Sequence, residues 1–226
     1  MAQTDTSSPN WLAALVRRSG RWSPPDWVFL PASALVTAGL IVLAFNLRPG
    51  TVEPEISDSQ FIMEAEALAQ LIPGPGTRFE LTYGPAGEPL ARLSATASFE
   101  AAGLLSAGVG AALPAEWETN AIGRIVRFEV EAQTAQDSDV DQIRLGYFTV
   151  GHGDSERTLR PVSRGWSTTG ICYQISPSAQ PNGAEWLGIW PGDAGDGQGV
   201  LVRSIRLTLE PEGETLAQCE ARLTES

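Results

Sequence analysis

Trp186 and Trp190, in Glu185-Trp-Leu-Gly-Ile-Trp190, are the residues best suited to recognition chemistry in this chain of 226 residues. In a strand, positions 186, 188 and 190 share one face, and Leu187 and Ile189 take the other. If the aliphatic pair faces a core, the two indoles stand on the outer face with Gly188 as a shallow gap between them. Flat aromatic rings stack on the apolar faces of sugar rings, and the indole N–H adds a donor. Trp166 and Trp117 could extend such a surface. The competing reading is that these rings pack beneath loops or against a neighbouring strand, where large aromatics commonly lie.

Asp137, Asp139 and Asp141, in Asp-Ser-Asp-Val-Asp, resemble the first half of a calcium loop. The second half departs from that pattern: Gln142 stands where glycine is required and Phe148 where a bidentate glutamate is required. An EF-hand is therefore excluded. A looser oxygen-ligand calcium site, with Asp154 or Glu156, stays open beside a plain acidic turn. No other cofactor is expected. The run Gly192-Asp-Ala-Gly-Asp-Gly-Gln-Gly199 carries two carboxylates and leads into a strand, whereas phosphate-binding glycine loops lead into a helix. Asp193 and Asp196 could ligate calcium or simply shape that turn.

His152 is the only histidine, and the chain has no lysine. A multi-histidine metal site and a lysine-based mechanism are thus excluded. Asp154 and Ser155 are too close to His152 in sequence to suggest more than a turn. No spacing singles out a carboxylate pair for glycoside hydrolysis, so no catalytic residue is assigned and the chain reads as a non-enzyme. Cys172 and Cys219 are the only cysteines. In an oxidising compartment an even count permits a disulfide. Alternation lets Cys172 point away from Ile171 and Tyr173; the alternative is two free thiols.

The elements that would position these residues are mostly strands. Val126, Phe128, Val130 and Ala132 alternate with Arg127, Glu129, Glu131 and Gln133, the pattern of a half-buried strand. Ile143, Leu145, Tyr147 and Thr149 suggest a second. Ile171, Tyr173 and Ile175 suggest a third, and Leu201, Arg203, Ile205, Leu207 and Leu209 a fourth. Arg78–Tyr83 and Leu90–Ala97 read as earlier strands. Turn signals at Pro85-Ala-Gly87, Gly151–Asp154, Pro181-Asn-Gly183 and Pro191–Gly197 separate them. Residues 61–72 and 99–112 fit helix or strand. This spacing predicts a mainly β fold, an antiparallel β-sandwich.

From Arg124 to Leu209 the chain resembles the carbohydrate-binding-module and galactose-binding-domain-like jelly rolls. The resemblance rests on Phe128-Glu-Val-Glu-Ala, Tyr147-Phe-Thr-Val, an acidic turn, Gly165-Trp166, Glu185–Trp190 and Val202-Arg-Ser-Ile-Arg-Leu. It implies a jelly-roll-type sandwich with a non-catalytic, glycan-binding role. The same fold also serves as a plain structural module.

Residues 27–45 carry no charge. As a helix they would be about 28 Å long, enough for a bilayer core of about 30 Å. Arg17, Arg18 and Arg21 precede the run, and Arg48, then Glu53, Glu55 and Asp58, follow it. The positive-inside rule then predicts a cytoplasmic N-terminus and a periplasmic remainder at a bacterial inner membrane. One alternative is a signal peptide, although its apolar core is usually about 7–15 residues and Leu43-Ala-Phe-Asn46 is a poor cleavage site; the other is a buried core helix, which would be unusual with no polar stripe. Residues 9–18 could form a short amphipathic helix. The expected organisation is 1–26 cytoplasmic, 27–46 transmembrane, 47–58 linker, 59–212 sandwich and 213–226 acidic tail.

Fifteen basic against 27 acidic residues give a net charge of −12. Nucleic acid, which needs a basic footprint, is excluded as a partner. The expected partners are a glycan or a membrane-protein complex. Ala32, Ala34, Ala38 and Gly39 would permit close helix packing in such a complex.

Overall fold

The computed structural model describes residues 26–46, 52–149, 153–178 and 185–225. His152, the 9–18 segment and the Pro181-Asn-Gly183 turn lie outside them. The chain divides into two units, Met1–Gly50 and Thr51–Ser226.

In the first unit, helix α1 spans Asp26–Asn46, with Pro31 inside it. Its side chains are described at 29 and 31–40, and all of these are exposed except half-buried Ser33. Among the described residues no helix is long and apolar enough to cross a membrane.

The second unit is a β-sandwich of two antiparallel sheets. Its strands are β1 (Glu55–Ile56), β2 (Gln60–Glu64), β3 (Ile72–Pro73), β4 (Thr77–Tyr83), β5 (Pro89–Ala95) and β6 (Val109–Ala112). They continue with β7 (Ile125–Thr134), β8 (Gln142–Phe148), β9 (Thr158–Pro161), β10 (Ser167–Gln174), β11 (Trp186–Trp190) and β12 (Gly199–Leu209). Among the described residues the short helices α2 (Phe99–Ala102) and α3 (Ala115–Ala121) interrupt them, and α4 (Leu216–Glu225) follows the last strand.

Among the described residues seven strands form the larger sheet, built around β12, and five form the smaller, in the order β3-β6-β11-β8-β9. One edge of β12 pairs with β5 through Gly199–Val202 and with β2 through Ser204–Thr208. Its other edge pairs with β7, which pairs with β10.

Period-two alternation decides what is buried. Val126, Phe128, Val130 and Ala132 face inward from the large sheet, and Ile143, Leu145, Tyr147, Leu187 and Ile189 from the small one. Tyr147 and Tyr173 meet between the sheets, with ring centroids 5.7 Å apart. The ambiguous stretch 61–72 resolves into β2, whose first residues alternate, and a 3-10 turn over Ala65–Gln70. Ala65, at φ 50°, is the non-glycine residue with positive φ among those described. The second ambiguous stretch becomes α2, a loop and β6.

One strand departs from its expected parity. The sequence predicts Leu201 and Arg203 on the face shared by Ile205, Leu207 and Leu209. Instead the register shifts between Val202 and Ser204. Val200 and Val202 face the core upstream, and Ile205 and Leu207 downstream. A bulge of this kind adds one residue to one strand and re-aims the side chains around it. The consecutive polar residues Arg203-Ser204 mark the place in the sequence.

Candidate functional site

The bulge lies where the partner of β12 changes from β5 to β2, and two depressions open there on the outer face of the large sheet. On the β5 side, a depression of about 570 Å³ is lined by Tyr83, Arg92, Gln133, Gln136, Trp166 and Leu201, among others. On the β2 side, a second of about 360 Å³ is lined by Gln60, Arg127, Glu129, Glu131, Thr168, Ser204, Arg206 and Thr208. The lining follows from alternation: Arg127, Glu129, Glu131 and Gln133 are the polar positions of β7, turned away from the core.

Ion pairs fix the walls. Arg203 pairs with Glu131, and its guanidinium lies 4.9 Å from the centre of the Trp166 ring. The hydrogen bond to Glu131 holds the Arg203 guanidinium further into its charged form. Glu131 thus steadies Arg203, and Arg203 steadies the indole. Arg92 grips Asp137 through two bonds of 2.8 and 3.0 Å. That contact holds the Asp137 carboxyl below the usual aspartate range. Tyr83 is 67% exposed at the hairpin end, so its ring is free to meet a ligand. Gly87, at φ 83°, closes that hairpin in a backbone conformation natural to glycine.

Helix α4 lies against the same sheet at its β10 side. Cys172 and Cys219 are joined by a disulfide, with Cα atoms 6.1 Å apart. Cys172 sits opposite Arg127, on the outer face that alternation allows. A Cβ at Gly170 would come within 2.4 Å of the Phe128 carbonyl oxygen, with a Leu223 methyl of the helix also close by at 2.9 Å. Beneath the helix, Glu210 is 1% exposed and is held by Arg127 at 2.7 Å and by Arg222. Residues 216–225 of the expected acidic tail are therefore ordered structure.

The tryptophans singled out from the sequence separate. Trp190 does occupy the outer face of β11, as alternation requires, yet it is 2% exposed. Phe99 of α2 packs edge-on against it at 5.5 Å, and Arg144 lies 4.2 Å above the Phe99 ring. Trp190 therefore offers no ring face to a ligand. Trp117 is 1% exposed in the core, where its N–H donates to the Tyr147 hydroxyl at 3.1 Å. Trp186 is half-buried in a separate, mostly apolar hollow of about 380 Å³ with Ile72, Phe148 and Asp154. Only Trp166 stands in the large-sheet depressions, so the four do not form one surface. Tyr83, Gln133, Gln136, Arg92 and Arg203 escaped sequence reasoning because no local pattern distinguishes them. The break in alternation at Arg203-Ser204 was the signal available.

The aspartates are committed elsewhere. Asp137 pairs with Arg92, and Asp139 pairs with Arg164 at 2.9 Å. Asp193 binds Arg144, which drives that guanidinium further into its charged form, and Asp196 accepts from Gln198. Asp141 is exposed. Among the described residues no group of three or more acidic, histidine or cysteine side chains could hold a metal ion. The calcium expectation at Asp137, Asp139 and Asp141 is corrected on this ground: arginines already neutralise two of the three carboxylates, and no shared cage forms.

A buried polar cluster sits at one end of the core. The Tyr147 hydroxyl, accepting from Trp117, donates to Glu185, and the Glu185 backbone N–H donates to Glu118 at 2.9 Å. Burial is the main force pushing the Glu185 carboxyl above the usual glutamate range, opposed by the Tyr147 bond and reinforced by Glu118. Burial, then the nearby Glu185 charge, pushes the Tyr147 phenol up.

No family model matches the chain, and no curated protein matches it. Solved structures of similar shape include the xylan-binding domain CBM22-1 of Paenibacillus barcinonensis Xyn10C. That domain is 12% identical, with 62% of this chain and 85% of that one covered and a TM-score of 0.44. The N-terminal CBM22-1-CBM22-2 tandem of the same protein is 11% identical over 72% of this chain and 50% of that one, with a TM-score of 0.49. A cyclase from Fischerella sp. TAU is 15% identical over 74% of this chain and 83% of that one, with a TM-score of 0.39. Likenesses at this level say nothing of ligand or chemistry.

Proposed function

We propose that the protein is a non-catalytic, jelly-roll-type binding module for a glycan of the cell envelope, and that the glycan lies on the outer face of the large sheet. The observation that carries this reading is Trp166, held by Arg203 in a depression that also presents Tyr83 and the amides of Gln133 and Gln136. Aromatic faces cover the C–H surfaces of a sugar ring, and planar amides bridge its hydroxyls. Steadied by the ion-paired Arg203, the Trp166 ring loses little freedom on binding. The groove carboxylates Glu129 and Glu131 are each engaged by an arginine, which suits binding better than proton transfer.

Titration calorimetry of the full-length chain against envelope polysaccharides tests the proposal. Trp166→Ala should weaken binding about tenfold, or about 1.4 kcal/mol. Unchanged binding in that variant would move the site elsewhere.

We further propose that α1 anchors the module in a bacterial inner membrane, with residues 52–225 on the oxidising side. The uncharged run at 27–45, the arginines before it and the disulfide support this. Alkaline extraction of membranes and protease access to spheroplasts check it. A protein released by alkali, or shielded from external protease, overturns it. Exposed Phe29, Leu35, Val36 and Leu40 favour a second reading, in which α1 docks onto a larger membrane complex. Migration as a lone monomer in mild detergent would defeat that reading.

A further inference from the structure

The depression on the β2 side holds groups that the rest of the sheet leaves unsatisfied. Arg206 stands on β12 opposite Glu129 of β7 and Ile62 of β2. It is exposed, and among the described residues it has no hydrogen-bond or ion-pair partner. The other guanidiniums of this face are engaged. Arg127 holds Glu210 at 2.7 Å and Glu129 at 3.2 Å, Arg203 holds Glu131, and Arg92 holds Asp137. Glu129, the nearest carboxylate by register, is thus already claimed by Arg127.

Two residues along the strand, the Thr208 hydroxyl is buried without a partner. Gln60 faces it across the β2–β12 pairing, and the Gln60 side-chain amide is likewise unengaged among the described residues. That hydroxyl is closed to solvent, so Arg206 and the Gln60 amide are the groups a ligand entering the depression would meet.

From this juxtaposition we infer that the β2-side depression receives an anionic substituent of the glycan, a uronic-acid carboxylate or a sulfate ester, with Arg206 as its counter-ion. A guanidinium presents a planar fork of donors that matches such oxyanions and gives charge-assisted bonds. The Gln60 amide would supply a further donor. The charge of −12 over the whole chain does not oppose this at contact distance. Exposed charges are largely screened beyond about 8 Å at physiological ionic strength. The inference rests on the glycan reading above and names its ligand class.

The test measures binding of the full-length chain, in mild detergent, to matched polymers: xylan and glucuronoxylan, carboxyl-reduced alginate and alginate, dextran and dextran sulfate. The acidic member of a bound pair should bind about tenfold more tightly. Arg206→Gln should erase that difference, while Gln60→Ala should reduce it in part. A uronate preference and a sulfate preference separate the two sources of the anion. Equal binding within every bound pair, or a preference that survives Arg206→Gln, overturns the inference and leaves the glycan reading standing. Binding to no polymer, neutral or acidic, overturns both.

Discussion

The outer faces of the two sheets end in opposite states. On the small sheet, Gly110, Gly188 and Gly146 lie in register across β6, β11 and β8. Without side chains in that row, the face admits a cover. A Cβ at Gly188 would overlap the Ala107 carbonyl and approach the Phe148 ring. Beside the row, Phe99 closes over Trp190. On the large sheet the equivalent middle is a bulge with long charged side chains on it, and the face stays open as two depressions. The glycine row lets chain lie on the small sheet, whereas on the large sheet α4 covers only the β10 side. Trp190, on an outer position of the small sheet, is therefore buried, whereas Trp166, just before β10, borders an open depression of the large one.

The sharpest way to break this comparison is to exchange the roles of Trp190 and Trp166. Trp190→Ala should cost about 3–5 kcal/mol of unfolding free energy, as for other buried large-to-small changes, and leave glycan affinity per folded molecule unaltered. Urea unfolding followed by calorimetry on the folded fraction reads both quantities. A variant that keeps its stability and loses binding would make the small sheet the binding face after all.

Next in size is the staple on the large sheet. Cys172 and Cys219 are 47 positions apart. The chain-entropy model gives roughly 4 kcal/mol for a loop of that length, as an upper value. Replacing both by serine should lower the urea midpoint accordingly. Hydrogen exchange should rise most in α4 and β10, which would show that the helix is held by the cross-link as well as by Glu210. Unchanged protection in α4 would mean that packing alone suffices.

The smallest effect belongs to neither face. The Glu185 carboxyl is raised in the folded state, so the folded protein retains a proton that the unfolded chain has released. Its favourable contribution is present below the unfolded value, near 4.5, and is lost as pH rises through the raised folded value. Stability should fall with rising pH across that window, and Glu185→Gln should flatten the fall. A variant whose pH profile superposes on the parent's would assign the slope to other groups.

Much of the sandwich is legible in the sequence because alternation records which side of a strand meets the core. That rule places Val126–Ala132, Ile143–Thr149, Leu187 with Ile189, and the outward turn of Cys172. It misleads at Leu201 and Arg203, since a bulge adds one residue and inverts parity upstream. It also says nothing of what lies above an outer face. Trp190 is on the predicted side of its strand and is covered by Phe99, from a segment far earlier in the chain. The acidic Asp-Ser-Asp-Val-Asp run looks like a cation loop only while Arg92 and Arg164 are far away in sequence.

The sequence by itself determined the β character, the polar and apolar faces of each strand, the uncharged segment at 27–45 and the pair of cysteines able to bond. These are local quantities, set by side-chain type at period two or by composition over a short window. The tertiary structure alone decided which outer face stays open, which tryptophan borders it, which carboxylates are neutralised and where, among the described residues, Arg206 is left without a partner. Those outcomes depend on residues from distant strands and loops arriving at the same place, and only the folded chain specifies that meeting.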